Sequence, residues 1–380
     1  MIGMIRCVFS IACLLWMTSL QAQTLQNAAA NYKVLAQQLA ADRFPVSFNP
    51  ATKAFKTSGS EPWVGGFYPG TLLYLYEATK DTALYNEAVR KLAVLEKEKY
   101  NKTTHDLGFM MYCSFGKLPN EAHKEVIITS AQSLASRFNE KVGCIRSWDS
   151  KPEQFMVIID NMMNLELLFA ATRLSGDSSF YKIAVTHANT TMAHHFRPDY
   201  SSYHLVIYDS KTGQVQKKQT VQGAADSSSW ARGQSWGLYG YTLMYRETKD
   251  KKYLQQATHI ADYMLQHLPA GHVFYWDFMA PDKAPAHRDA SATAITCSAL
   301  FELQQYVQRK KGKQYLATAQ HMLRALSSPE YFAAPGENGG FILKHGVGNL
   351  PAKSDIDVSL IYSDYYYVEA LMRCKALLAK

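Results

Sequence analysis

The sequence has no lysine and arginine run longer than RKKGK at 309–313 and no basic helical stripe, although its formal net charge is +8. Nothing in it therefore offers the electrostatic footprint of a nucleic-acid partner. After residue 22 it has no stretch of roughly 20 unbroken apolar residues, the length a membrane helix needs. No Pro/Gly/Ser-rich linker divides residues 23–380. It lacks the metal-protease pattern HExxH and a phosphate-binding P-loop. It also lacks a CxxC pair. Cys113, Cys144, Cys297 and Cys374 are widely spaced. A chain this long needs no staples, so they read as buried free thiols, not as a metal site or a disulfide framework.

What is present begins with MIGMIRCVFSIACLLWMTSLQAQ. Arg6 supplies a positive start, Cys7 to Leu15 the apolar stretch, and Leu20-Gln21-Ala22 a cleavage site before Gln23. We read residues 1–22 as a secretory signal, which places the mature chain in the periplasm or outside the cell. A lipoprotein signal at Cys13 is the alternative, although Ser10-Ile11-Ala12 matches it poorly. Losing this segment removes only Arg6, and a modest +7 remains, which suits a small acidic ligand. Hydrophobic content of 47% and charge of 19% describe a globular chain. We expect one domain over 23–380.

A phrase recurs along that domain. YEATKDTALYNEAV starts at Tyr76, ATRLSGDSSFYKIAV at Ala171, YRETKDKKYLQQATHIA at Tyr245 and VQRKKGKQYLATAQHML at Val307. Each joins two helical patterns through a tight Gly/Asp/Lys turn and sets Tyr85, Tyr181, Tyr253 or Tyr315 at the start of the next helix. The stretch from Asn120 to Phe138 reads as a further return helix without the full phrase. Such repetition marks a helical array. About six pairs fit the length, at roughly 60 residues per pair. The expected fold is all-α, an α/α toroid whose inner helices line a cavity. Residues 203–209 (YHLVIYD) and 273–278 (VFYWDF) read as short strands in loops on one rim.

Several polar residues stand where a cavity wall would be. FMVIIDNMMNLELLFAA, residues 155–171, holds Asp160 inside an apolar run. Read as a helix, it puts Asp160 and Asn164 on one face. A desolvated Asp160 could keep a proton near neutral pH, or it could be a structural acid satisfied by neighbouring loops. Asp106 in THDLGFMMYCSFG is either a helix cap or a second carboxylate. Trp63 in EPWVGGFYPG either stacks on a sugar or belongs to the core. In QGAADSSSWARGQSWGLYGYT, Arg232 and Trp236 lie four apart near Gln222, Gln234 and Trp230. A guanidinium beside an indole suits a carboxylate-bearing sugar, and it equally suits a packed helix with a salt bridge. His204 sits in the predicted rim strand. Lys344, His345 and Lys353 could meet a sulfate or be solvated surface.

Taken in order, HDLGF, IIDNMMNL, QGAADSSSWARGQSWG, YWDF, RDASATAI and SLIYSDYYYVEAL resemble glycoside hydrolase family 88, the unsaturated glucuronyl hydrolases. The likeness runs from about Trp63 to Arg373. The related unsaturated rhamnogalacturonyl hydrolases typically carry RGNGW where this chain has Arg232-Gly233-Gln234-Ser235-Trp236. The resemblance implies a six-hairpin α/α toroid and no metal or organic cofactor. It implies Asp160 as acid/base, Asp106 as the second essential aspartate, and His204, Gln222, Arg232 and Trp236 as residues holding an unsaturated uronate, with Trp63 stacking on the sugar. The implied reaction hydrates the C4=C5 bond of a 4,5-unsaturated uronate at the nonreducing end of lyase-made oligosaccharides, with glycosaminoglycan disaccharides the expected substrates. A rhamnogalacturonan-directed enzyme and a noncatalytic carbohydrate-binding toroid are the alternatives. The oligomeric state is not legible in the sequence.

Overall fold

Helix 21–37 (α1) opens the computed structural model, which describes residues 21–151, 153–280 and 286–378, without side chains at 120–122. The expected signal segment lies outside these residues, apart from Gln21 and Ala22 in α1. Ten further helices follow among the described residues. They are α2 (Phe67–Thr79), α3 (Thr82–Leu95), α4 (Asn120–Ala135), α5 (Leu165–Ser175), α6 (Ser178–His194), α7 (Ala231–Thr248), α8 (Lys251–Gln266), α9 (Ala290–Leu303), α10 (Arg309–Leu326) and α11 (Ile361–Leu378).

The repeated phrase is a helix-ending and helix-starting device. Lys80, Gly176 and Lys249 adopt left-handed backbone (φ 62°, 78° and 59°) and close α2, α5 and α7. Asp81, Asp177 and Asp250 follow directly, and each carboxylate accepts from a backbone N–H two residues on, capping α3, α6 and α8. The fourth copy differs. α10 starts after Gln308, which makes no side-chain cap. Tyr85, Tyr181 and Tyr253 then lean on Tyr76, Phe169 and Tyr241 of the preceding helices, with ring centroids 5.0, 5.5 and 6.2 Å apart.

The first helix of each pair faces inward. α9 is buried along its whole length and α7 from Ala231 to Met244. A helix without a polar face belongs inside the molecule. The inner ring runs α2, α11, α9, α7, α5. Its sixth sector is not a regular α-helix: a π-helical turn, Gly108–Tyr112, and a 3-10 turn, Phe115–Lys117, stand there, backed by α4. The α/α toroid expected from the repeat is thus present, with one inner helix replaced by two tight turns.

The strands gather at loops. β1 (Phe44–Asn49) and β2 (Ala54–Ser58) form a hairpin. β3 (Phe138–Asn139) pairs with β4 (Cys144–Ile145). β5 (Gln154–Ile158), β6 (Leu205–Asp209) and β7 (Val215–Gln219) make a three-stranded antiparallel sheet. β8 (Gly346–Asn349) and β9 (Ser354–Leu360) join the first hairpin in the order β2-β1-β9-β8. The β6–β7 hairpin turns where Ser-Lys-Thr-Gly predicts it, with Gly213 at φ 75°. Residues 273–278 make only isolated bridges, Tyr275 to Arg288 and Trp230 to Asp277, so the second predicted strand is a loop. Cys113, Cys144, Cys297 and Cys374 are free, and the last three are buried.

Candidate active site

The five long inner helices start at one end of the ring, and that end carries the site. Trp63 just before α2, Asp160 just before α5, Arg232 in the first turn of α7 and Tyr362 in the first turn of α11 line two adjoining cavities of about 120 and 310 Å³. Asp289 caps α9 beside them, accepting from Ser291 N at 2.9 Å. Unpaired N–H groups at helix starts favour negative charge. The fold therefore turns this end toward an anionic ligand before any side chain is counted.

Asp160 does not sit on a regular α-helix. Residues 154–158 are β5, 159–164 a 3-10 turn, and α5 begins only at Leu165. At three residues per turn, positions four apart no longer share a face. Asp160 lines the smaller cavity, whereas Asn164 is fully buried and accepts from Phe109 N at 3.0 Å. This corrects the shared face predicted from the sequence. Asn161 is also buried, donating to the Ile145 carbonyl at 2.8 Å and to Ser147 Oγ at 3.1 Å.

The Asn164 bond ties the Asp106 segment to the Asp160 segment. Gly108 makes this approach feasible, because a Cβ there would stand 2.4 Å from Asn164 Cα. Asp106 also lines the smaller cavity. Its Oδ2 accepts from Thr104 Oγ1 at 3.0 Å, and Thr104 Oγ1 accepts from Asp106 N at 3.1 Å, so it is no helix cap. Burial raises the Asp160 carboxyl to about 7; Arg232 pulls it down and Asp106 pushes it up. Asp160 is thus partly protonated at neutral pH. Its Oδ1 has no hydrogen-bond partner among the described residues.

Arg232 is buried and held from several sides. Nη1 lies 3.2 Å from Asp289 Oδ2 and donates to the Val347 carbonyl, and Nη2 donates to the Gly348 carbonyl at 2.5 Å. Gln222 Nε2 donates to the same Gly348 carbonyl at 3.0 Å. Both side chains line both cavities. The guanidinium carbon stands 4.4 Å from the Trp230 ring and 5.2 Å from the Tyr362 ring. Trp63 also faces both cavities and packs on Tyr362, centroids 4.9 Å apart.

Two predicted residues stand behind the wall. His204 is buried, and its Nδ1 accepts from Val221 N at 3.1 Å and Gln222 N at 3.3 Å. It fixes the backbone that carries Gln222. Its ring lies 4.8 Å from Trp230, and burial takes its pKa down to about 3, so it is neutral with the proton on Nε2. Trp236 lines neither cavity. It is fully buried one turn below Arg232, between Phe109 and Tyr366 at 5.0 and 5.2 Å, and it supports the floor. Its spacing from Arg232 indicated a shared face, but Arg232 reaches past the helix end while Trp236 meets the core.

His105 and Trp148 line the smaller cavity and were not singled out as site residues, and Trp230, named beside Arg232, lines it with them. The position of His105 next to Asp106 was the available signal. Lys344 and Lys353 do not line the larger cavity. Lys344 donates to the Pro329 carbonyl at 2.7 Å. Lys56 and Asp355 line it instead, paired at 2.8 Å. Among the described residues no cluster of three His, Cys, Asp or Glu could hold a metal ion, and no helix is long and apolar enough to cross a membrane.

Comparison with known proteins identifies the family. The model of Glycosyl Hydrolase Family 88 matches residues 37–376. An unsaturated glucuronyl hydrolase from Formosa agariphila is 45% identical over 357 residues, covering 92% of this chain and 88% of that protein. An unsaturated chondroitin disaccharide hydrolase from Streptococcus pneumoniae is 35% identical, covering 90% of each. The crystal structure of an unsaturated glucuronyl hydrolase specific for heparin superposes with a TM-score of 0.91 at 44% identity, covering 95% of this chain and 98% of that one. A Streptococcus agalactiae unsaturated glucuronyl hydrolase variant complexed with dGlcA-GalNAc6S superposes with a TM-score of 0.81 at 29% identity, covering 94% and 92%. The chain belongs to glycoside hydrolase family 88.

Proposed function

We propose that this hydrolase hydrates the C4=C5 bond of the 4,5-unsaturated uronate at the nonreducing end of lyase-made glycosaminoglycan disaccharides and so releases the second sugar. The observation that carries the reading is the placement of Asp160, its carboxyl raised to about 7 by burial, beside Asp106 and Arg232 in one small cavity. Asp160 gives its proton to C4 while positive charge develops at C5, and water adds at C5. The resulting hemiketal opens and frees the second sugar. No covalent glycosyl-enzyme is needed, so the two-carboxylate displacement at C1 does not apply. Positioning and proton transfer supply the rate.

The uronate carboxylate is drawn by the helix starts and by Arg232 and Gln222, and the indoles of Trp63, Trp148 and Trp230 line the cavity around the sugar. The larger cavity, continuous with the smaller through Trp63, Gln222 and Arg232, receives the second sugar. Lys56 and Asp355 neutralise each other there. Residues 1–22 export the chain and are removed, placing the reaction in the periplasm or outside the cell.

The test is turnover in deuterium oxide with unsaturated heparin, chondroitin and hyaluronan disaccharides. One deuteron at C4 of the released keto-uronate is expected. Retention of the double bond in the product would overturn the reading.

A further inference from the structure

His105 is a buried group to which the mechanism above gives no task. It is 3% exposed, it lines the smaller cavity beside Asp106 and Asp160, and its ring is fixed at one nitrogen. Nδ1 lies 3.0 Å from the Ser147 carbonyl. A carbonyl only accepts, so Nδ1 carries the hydrogen. In the neutral ring Nε2 then has only a lone pair. That nitrogen is buried, has no hydrogen-bond partner among the described residues, and lies 3.2 Å from Asp106 Oδ1 with no hydrogen bond between them. Two acceptors face each other with no proton between. A buried acceptor without a partner is costly and calls for an explanation.

We infer that His105 is a positioning residue for Asp106, the two forming one proton-accepting pair that takes the proton of the water adding to C5. The inference rests on the hydration reading above and assigns it a base distinct from its acid. In the step, an O–H bond of water breaks, its oxygen bonds to C5, and the proton goes to Asp106 Oδ1 with His105 Nε2 as the neighbouring acceptor. Asp160 has given its own proton to C4. One proton leaves Asp160 and one arrives on the pair, and exchange through water restores both.

The surroundings hold this arrangement. Arg137 Nη2 donates to the same Ser147 carbonyl at 3.2 Å, fixing the acceptor of Nδ1–H, and Arg137 is itself paired with Asp149 at 2.9 Å. Thr104 holds the other oxygen of Asp106. The charged groups facing His105 are Asp106 on its own segment, Arg137 and Asp149 on the neighbouring one, and Asp160 and Arg232 across the cavity. His187 and His204 stand behind, both taken down to about 3 by burial and so neutral. Burial lowers the His105 imidazole, with Asp106 pushing back up, so the ring rests neutral with a bare Nε2 at neutral pH.

Two measurements test the pair. The first is the pH profile of kcat/KM for His105→Asn and His105→Gln against the unaltered protein, followed by loss of the unsaturated chromophore. With Nε2 gone, the acceptor 3.2 Å from Asp106 Oδ1 is lost and the water proton has one landing site in place of two. The acid limb should move to lower pH by about one unit, while kcat falls about 100-fold and KM changes less than threefold. A limb that stays in place, or full activity, overturns the inference. The second needs no substrate. Nitrogen-15 NMR of the histidine rings in the free protein should show His105 with hydrogen on Nδ1 and a bare Nε2, and its titration should shift in Asp106→Asn. A hydrogen on Nε2 at neutral pH, or a titration indifferent to Asp106, overturns it. If no disaccharide is turned over, the hydration reading fails, while the NMR result still decides whether the pair exists.

Discussion

The surroundings of Asp160 favour its protonated form, and this has consequences for stability as well as for chemistry. Its folded-state pKa, about 7, is raised above the usual carboxylate value by burial. The folded chain therefore binds a proton that the unfolded chain has lost, and stability falls as pH rises from about 4 to about 7, then levels off. Asp160→Asn should remove this penalty. We expect a variant that folds, loses at least 1,000-fold in activity, and gains stability over the unaltered protein at pH 8 but little at pH 4, as read by denaturant melts. Every tenfold difference in proton affinity between the folded and unfolded chain is worth about 1.4 kcal/mol. Equal stability at both pH values would refute the burial account. Arg232→Lys should cost about 10- to 100-fold in kcat/KM. A lysine cannot span Asp289 and the carbonyls of Val347 and Gly348 at once. An unchanged kcat/KM would show that the fork is dispensable.

Among the elements, the 3-10 turn at 159–164 and the π-helical turn at 108–112 bring the two carboxylates together. Both replace α-helix where the sequence shows an apolar run. A period-3.6 reading of residues 155–171 hides the strand and the 3-10 turn inside it. The residue identities were legible there, since an acid and two amides in an apolar run demand a reason, but the face they share was not. The helix pairs were legible because their turns repeat a left-handed residue followed by a capping Asp. The β1-β9 pairing was not, because it joins Ser47 to Leu360 across nearly the whole chain. His204 and Trp236 were read as substrate contacts, yet they stand one layer behind, a distinction of depth that spacing cannot encode. Gly108→Ala tests the junction. Its Cβ would meet backbone at 2.4 Å, so the two segments must part. Overpacking of this kind costs about 1–3 kcal/mol. We predict a drop in melting temperature together with loss of kcat; a variant as active and as stable as the parent would contradict the close approach.

Over the whole molecule, the ring separates two kinds of polar group. The end where the inner helices start holds the site. Deeper in the ring, Glu369 of α11 is a buried hub. It accepts from Tyr74 of α2 at 3.0 Å, Tyr239 of α7 at 3.1 Å and Ser298 of α9 at 2.6 Å, and Arg373 and Lys117 stand 3.7 and 3.9 Å away. Arg373 pairs with Glu302, which pairs with Arg246, which pairs with Glu166 of α5. This one network touches all six sectors. Burial pushes the Glu369 carboxyl up, but Arg373 and Lys117 outweigh it and hold it below the usual range. Its contribution to stability is therefore present above the unfolded pKa and lost as pH falls through the lower, folded value. Glu369→Gln should cost about 3–5 kcal/mol at neutral pH, the penalty of stranding buried charge, and should blunt the loss of stability in acid. A melt unchanged from the parent would contradict the hub.

The most direct measurement follows the ultraviolet absorbance of unsaturated heparin, chondroitin and hyaluronan disaccharides after addition of the purified chain. Hydration removes the conjugated C4=C5 bond and its absorbance with it. The account predicts decay on at least one disaccharide and none with Asp160→Asn. Flat traces on all three, or full activity in the variant, would contradict it.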